Sequence, residues 1–216
     1  MKRPVFIARQ SARPSGLVGR VIAGIMARET EDLNQRAISL LAPSPSDWVL
    51  EIGFGHGRTI ERIARIVDNG RVSGLDVSEA MLKMAVRRNR RGIADGRVDL
   101  RMGDCASMPF DDGRFDSALS VHTLYFWSDP NSCLREIRRV LRPGDRLVLG
   151  FLRADSPRRM SFPHEVYAFH DDRDVKAMLA SAGFESIELS RVGEASLALA
   201  IASGGGVPSP RARGEG

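Results

Sequence analysis

Lysine is nearly missing from this 216-residue chain: of its 32 basic residues only Lys2, Lys83 and Lys176 are lysines. The net charge of +5 is therefore arginine charge. It is spread along the chain among 27 acidic residues rather than massed in one segment. Such interleaving does not make the footprint of a nucleic-acid binder, and the densest run, Arg87–Arg91, falls at the end of an expected helix, where cations meet the negative end of the helix dipole. No nucleic-acid partner is expected on that basis. Cysteine is scarcer still. Cys105 and Cys133 stand alone and form no CxxC pair, which excludes a disulfide framework and a cysteine-based metal site and leads to an expectation of two reduced thiols in a cytoplasmic protein. No apolar run is long enough for a membrane span. At the N-terminus Arg9, Arg13 and Arg20 interrupt any signal-peptide core, so secretion is not expected. There is no internal repeat.

What is present is a regular alternation of strand and helix patterns. With 43% hydrophobic residues the chain can bury the core of one domain. Residues 1–42 read as a basic, loosely ordered start followed by two cap helices. Their faces are Leu17, Val21, Ile22 and Ile25, then Leu33, Ala37, Leu40 and Leu41, with Thr30 as N-cap of the second. Residues 43–202 read as the main domain. Strands are expected at 48–52, 71–75, 98–102, 115–121 and 146–151, with helices at about 58–67, 78–91, 131–141 and 172–182. Two late strands, about 186–190 and 197–202, have no helix between them and make a hairpin. This pattern predicts an α/β fold: a mostly parallel, Rossmann-like sheet with helices on both faces and an antiparallel strand at the end. An insert at 153–170, with Pro157, Pro163, His164, Tyr167 and His170, reads as a lid. The Gly/Pro/Ser-rich tail 203–216 reads as disordered.

The chemistry concentrates at Val49-Leu50-Glu51-Ile52-Gly53-Phe54-Gly55-His56-Gly57. A strand ends in a glutamate, and glycines follow at every second position. Glycine permits positive φ and close approach of backbone to a ligand. In an open α/β sheet that loop lies where ligands bind. Two ligand classes compete. A dinucleotide loop reads GxGxxG, but here the spacing is GxGxG and the third-glycine position holds Arg58. A glutamate at the mouth of the loop repels pyrophosphate and suits an ammonium group. S-adenosylmethionine carries an ammonium and a sulfonium, and no phosphate. Asp76 ends the second strand at the spacing of a ribose-binding acid, and Asp104 and Cys105 follow the third.

With Leu75-Asp76-Val77-Ser78, Gly103-Asp104-Cys105-Ala106-Ser107-Met108-Pro109-Phe110 and Leu134-Arg135-Glu136-Ile137-Arg138-Arg139-Val140-Leu141-Arg142-Pro143-Gly144, the chain resembles class I S-adenosylmethionine-dependent methyltransferases. The likeness is to the methyltransferase type 11 and ubiquinone/menaquinone group, over about residues 30–202. The resemblance implies a seven-stranded sheet with the last strand antiparallel. It implies S-adenosylmethionine as cofactor, with Glu51 near the methionine ammonium and Gly53, Phe54, Gly55 and Gly57 along the methionine moiety. Asp76 takes the ribose, Val77 and Met81 lie beside the adenosine, Asp104 and Cys105 contact adenine, and the Val121 backbone meets the methionine end. Asp145 replaces a common glycine and is expected in a turn. Methyl transfer needs no fixed catalytic motif, and a base only if the acceptor must lose a proton. His122 is the candidate base, and Tyr125 is grouped with it as catalytic. Tyr125, Phe126 and Trp127 are candidates for an apolar acceptor pocket. The expected acceptor is a small or lipid-like molecule. The competing readings are a silent binding protein of the same fold, a nucleic-acid methyltransferase and a nicotinamide-dependent oxidoreductase.

Overall fold

The computed structural model describes residues 4–14, 16 and 30–203. The first expected cap helix and the tail beyond Ser203 lie outside those residues. In chain order the elements are α1 (Val5–Ala12), α2 (Glu31–Leu41), β1 (Trp48–Ile52), α3 (Arg58–Ile66), β2 (Arg71–Asp76), α4 (Glu79–Arg88), α5 (Arg90–Ala94), β3 (Val98–Met102) and β4 (Phe115–Val121). They continue with α6 (Pro130–Val140), β5 (Leu141–Leu152), α7 (Asp172–Ser181), β6 (Phe184–Val192) and β7 (Ala195–Ala202). The seven strands form one sheet in the order β3-β2-β1-β4-β5-β7-β6. Strands β1 to β5 pair in parallel, and β7 runs antiparallel between β5 and β6. The expected antiparallel last strand is thus present.

Alternation along the central strands feeds two cores. Leu50 and Ile52 of β1 pack with Phe115, Ala118 and residues of α6 and α7. Val49 packs on the other face with Leu33, Ala37, Ile60, Ile63 and Ala85, from α2, α3 and α4. Side chains of successive residues leave a strand on opposite faces, so one five-residue strand serves both layers. Strong caps fix the helix starts. Asp129 accepts from the Asn131 and Ser132 amides ahead of α6, and Asp171 and Asp174 form a capping box on α7. No helix among the described residues is long and apolar enough to cross a membrane.

Four expectations change. The N-terminal segment expected to be loosely ordered contains helix α1, with Ala8 and Ser11 buried. The helix expected over 78–91 breaks at Asn89, whose side-chain amide donates to Gly57 O and Ala85 O and so ties the break to the glycine loop. Asp145 lies within β5, partly buried, and its carboxyl is pushed up to about 6, first by burial and then by Asp116. The two cysteines do not remain separate thiols. The fold brings the loop after β3 across the first turn of α6, and Cys105 and Cys133 form a disulfide with Cα atoms 4.9 Å apart. Spatial closeness of residues 28 positions apart is set by the packing of that loop on α6, which spacing alone does not display.

Candidate active site

The sheet order reverses between β1 and β4, and the crevice beyond their carboxyl ends is where an open α/β sheet binds ligands. A cavity of about 380 Å³ opens there. That lies within the size range of small-molecule sites, roughly 300–1,000 Å³.

Its floor is the glycine loop. Gly53, Gly55 and Gly57 have φ of 75°, 53° and 76°, the left-handed region that side-chain-bearing residues rarely enter. Gly53 lies against Thr123, leaving no room for a Cβ. Gly55 has open space where a Cβ would stand, so its backbone faces the cavity bare. Gly57 does not reach the cavity wall. It starts α3, and a Cβ there would meet Ala85 and Asn89 at 2.6–2.9 Å, so this glycine serves the packing of α3 on α4.

Asp76 holds the loop in shape. Its Oδ2 accepts from the Gly55 amide and its Oδ1 from the Ser78 amide, each at 2.8 Å. Each carboxylate oxygen has a second lone pair, so Asp76 can still accept from a ligand's hydroxyls. Glu51 is 5% exposed, and its Oε2 has no hydrogen-bond partner among the described residues. Burial, and then the neighbouring Asp76 charge, push its pKa up to about 8, against the pull of hydrogen bonds from Thr59 and the Ile60 backbone. A buried, unpaired carboxyl is costly, and a cationic ligand group relieves the cost.

Phe54, Val77, Met81, Asp104, Cys105 and Val121 also line the cavity. Asp104 is exposed, and its Oδ1 accepts from the Ala106 amide at 2.9 Å. After Val121 the chain turns through His122, whose φ of 61° is rare for a residue with a side chain. The turn is tied down on both sides. The His122 amide donates to Gly150 O, and the Ser120 hydroxyl donates to Ile52 O and contacts the Thr123 hydroxyl. His122 thereby joins the cavity wall with Phe126 and Trp127. Burial, then the Arg158 charge, lower its pKa to about 4, so the ring is neutral at neutral pH.

Tyr125 stands elsewhere than expected. It is buried behind His122, its Oη 3.1 Å from His122 Nδ1, and does not line the cavity. It belongs instead to an aromatic cluster with Phe126, Phe162, Tyr167 and Phe169, which packs the 153–170 insert onto the turn after β4. The insert includes a short 3₁₀ turn, Pro157–Ser161. Its His164 is exposed and lies outside the cavity.

Sequence reasoning placed cap helices over this cleft but missed the part of the roof made by residues 11–14. Ser11, Ala12, Arg13 and Pro14, with Thr30 and Asn34, cover the cavity. The Ser78 hydroxyl donates to Pro14 O at 2.7 Å and fastens the roof to the start of α4. No local motif announces such a contact, which spans 64 residues.

Among the described residues, the wall carries three carboxyl groups, Glu51, Asp76 and Asp104, against one arginine, Arg13. That donor set disfavours a pyrophosphate and fits a ligand with an ammonium at one end, ribose hydroxyls in the middle and an amino-bearing base at the other. A seven-stranded sheet of this order, with a glycine loop and a strand-end acid at its switch point, is the architecture of class I methyltransferases. The family profile described as a methyltransferase domain matches residues 50–149. An uncharacterised methyltransferase of Bacillus subtilis, YdaC, is 33% identical over 78% of this chain and 89% of its own. A 2-phytyl-1,4-naphtoquinone methyltransferase of Synechococcus elongatus is 34% identical over 78% of this chain and 75% of its own. Among solved structures, a possible histamine N-methyltransferase of Thermotoga maritima superposes with a TM-score of 0.69 at 20% identity, over 87% of this chain and 96% of that one. The chain belongs to the S-adenosylmethionine-dependent methyltransferases.

Proposed function

We propose that this methyltransferase transfers a methyl group from S-adenosylmethionine to an apolar small-molecule or lipid-like acceptor, with His122 as the general base. The observation that carries the cofactor assignment is the orphaned Oε2 of buried Glu51, placed to accept from the methionine ammonium. Asp76 accepts from the ribose hydroxyls, and Asp104 with the Cys105 amide takes the adenine edge. Gly53, Gly55 and the Val121 backbone follow the methionine chain, and Phe54, Val77 and Met81 supply the apolar walls. When bound, the cofactor supplies an electrophilic methyl on a sulfonium that is already a good leaving group.

The protein's share of the chemistry is then alignment, exclusion of water and disposal of a proton. The roof over residues 11–14 closes the cavity on one side, and Phe126 and Trp127 make its acceptor end apolar. The tautomer in which Nδ1–H donates to Tyr125 Oη is the one that leaves the His122 Nε2 lone pair free to take a proton from the acceptor. Its low pKa keeps that lone pair available throughout the neutral range. Tyr125 acts through His122 and is a positioning residue. The name of the Synechococcus relative supports an apolar acceptor of quinone type.

Methyl transfer from labelled S-adenosylmethionine to a panel of apolar phenols, quinols, amines and RNA tests this reading. The wild type is expected to methylate an apolar compound, and His122→Asn to lose roughly 10²–10⁴-fold in kcat while its affinity for S-adenosylhomocysteine is unchanged. Asp76→Ala is expected to lose that affinity instead. Labelling of RNA alone would replace the acceptor class. Cofactor-dependent labelling at full rate in His122→Asn would remove the base.

A further inference from the structure

Cys105 and Cys133 join two parts of the site that do different work. Cys105 lies in the cavity wall, on the loop that carries Asp104. Cys133 lies in the first turn of α6, 1% exposed and outside the wall. The far half of that loop is held to α6 by other means. The Met108 amide donates to Glu136 at 2.9 Å, and Arg139 donates to Met108 O and Phe110 O at 3.2 and 2.8 Å. The near half, Asp104 to Ser107, has hydrogen bonds within itself, from the Ala106 amide to Asp104 Oδ1 and from the Ser107 amide to Asp104 O. Among the described residues, the covalent tie of that near half to the helix is the disulfide.

We propose that the Cys105–Cys133 bond is a thiol–disulfide exchange site that sets the cofactor affinity of the adenine-side loop and is reached by reductants through the cavity. The reductant class is a small dithiol. Its thiolate attacks Sγ of Cys105, the member of the pair that lines the cavity, and the Cys105–Cys133 bond breaks with Cys133 leaving as a thiolate that takes up a proton. The reductant's second thiol then displaces Cys105 from the mixed disulfide. The dithiol ends as a disulfide, and the pair has gained two electrons and two protons. Reduction frees the Asp104–Ser107 stretch from α6 and loosens the adenine contacts.

Coupling between two binding equilibria is reciprocal, so a ligand that fills the cavity must also favour the oxidised pair. Filling the cavity covers Cys105 as well, which slows attack. Both effects rest on the cofactor assignment proposed above, whereas the bond itself does not.

The experiment is a thiol count by mass spectrometry after alkylation, with and without dithiothreitol, in parallel with S-adenosylhomocysteine titrations of the same samples. The expected results are no alkylation before reduction, two alkylated cysteines after it, and about tenfold weaker binding by the reduced form. Saturating S-adenosylhomocysteine is expected to slow reduction at least tenfold. Cys133→Ser removes the tie without touching the cavity wall. It is expected to bind like the reduced wild type and to ignore dithiothreitol, with an unchanged far-UV spectrum. Should that variant not fold, the reduced wild type carries the same comparison. Two freely alkylated thiols in air-exposed protein would overturn the exchange site. Equal affinity of the oxidised and reduced forms would overturn its control of binding. Failure of both forms to bind would instead remove the cofactor assignment and the coupling with it, while the thiol count would still decide the bond.

Discussion

Glu51 presents a buried carboxyl oxygen with no partner, raised to about 8 and so protonated at neutral pH before a ligand arrives. A cationic group placed against it favours the ionised form, so the proton must leave as the ammonium enters. Calorimetric titration with S-adenosylhomocysteine at pH 7, in buffers of low and high ionisation enthalpy, is expected to show nearly one proton released per site. Glu51→Gln is expected to abolish that release and to weaken binding. The acids of this site were legible in the sequence, because a carboxylate at a buried strand end is conspicuous. The role of Gly57 was only half legible. Three glycines at alternate positions read as one ligand-facing loop, yet the third faces α4, and the chain has to be folded before that is visible.

Helices α3 and α4 approach each other closely at Gly57, and Asn89 bridges the contact through Gly57 O. Gly57→Ala combines a φ of 76° with a Cβ only 2.9 Å from the Ala85 backbone. Left-handed backbone costs a residue with a side chain roughly 1–2 kcal/mol, and overpacking adds a further 1–3. Thermal unfolding is expected to show a loss of about 2–5 kcal/mol, while Gly55→Ala, with open space at its Cβ, loses only the backbone part. Helices α3, α6 and α7 were readable to within a residue, whereas β5 starts five residues before the strand expected at 146. Helix α1 was not, because only eight residues, with two polar ones among its five buried or half-buried positions, make too short a pattern beside so much charge. The break at Asn89 was hidden for a different reason. Its signal is a side-chain hydrogen bond to residue 57, which the helical run around it does not reveal.

Across the whole molecule the pH dependence of stability follows from the buried groups. Glu51 has a folded pKa of about 8 against an ordinary value of 4.5. Its contribution is fully present below 4.5 and is lost as pH rises through 8. His122 and His56 have folded values of about 4 against 6.5, so each begins to cost stability as pH falls below 6.5. From pH 6.5 to 8 the Glu51 loss outweighs the smaller relief from the two histidines, which are half protonated in the unfolded chain at 6.5. Denaturant unfolding of the ligand-free protein is expected to show about 1 kcal/mol less stability at pH 8 than at 6.5, the Glu51 loss being about half offset by the histidines. Glu51→Gln should flatten that slope, and a slope unchanged in the variant would place its origin elsewhere.

Asp76 builds the loop through its bonds to Gly55 and Ser78, in addition to the ribose-binding role proposed for it. The two duties cannot be edited separately. A redesign that trades this aspartate to admit an altered sugar also dismantles the surface on which the sugar would rest. Asp104, exposed and among the described residues bonded only within its own loop, carries no such double obligation. Tolerance for unnatural cofactors should therefore be sought at the base end of the molecule, where the protein can change its grip without changing its shape.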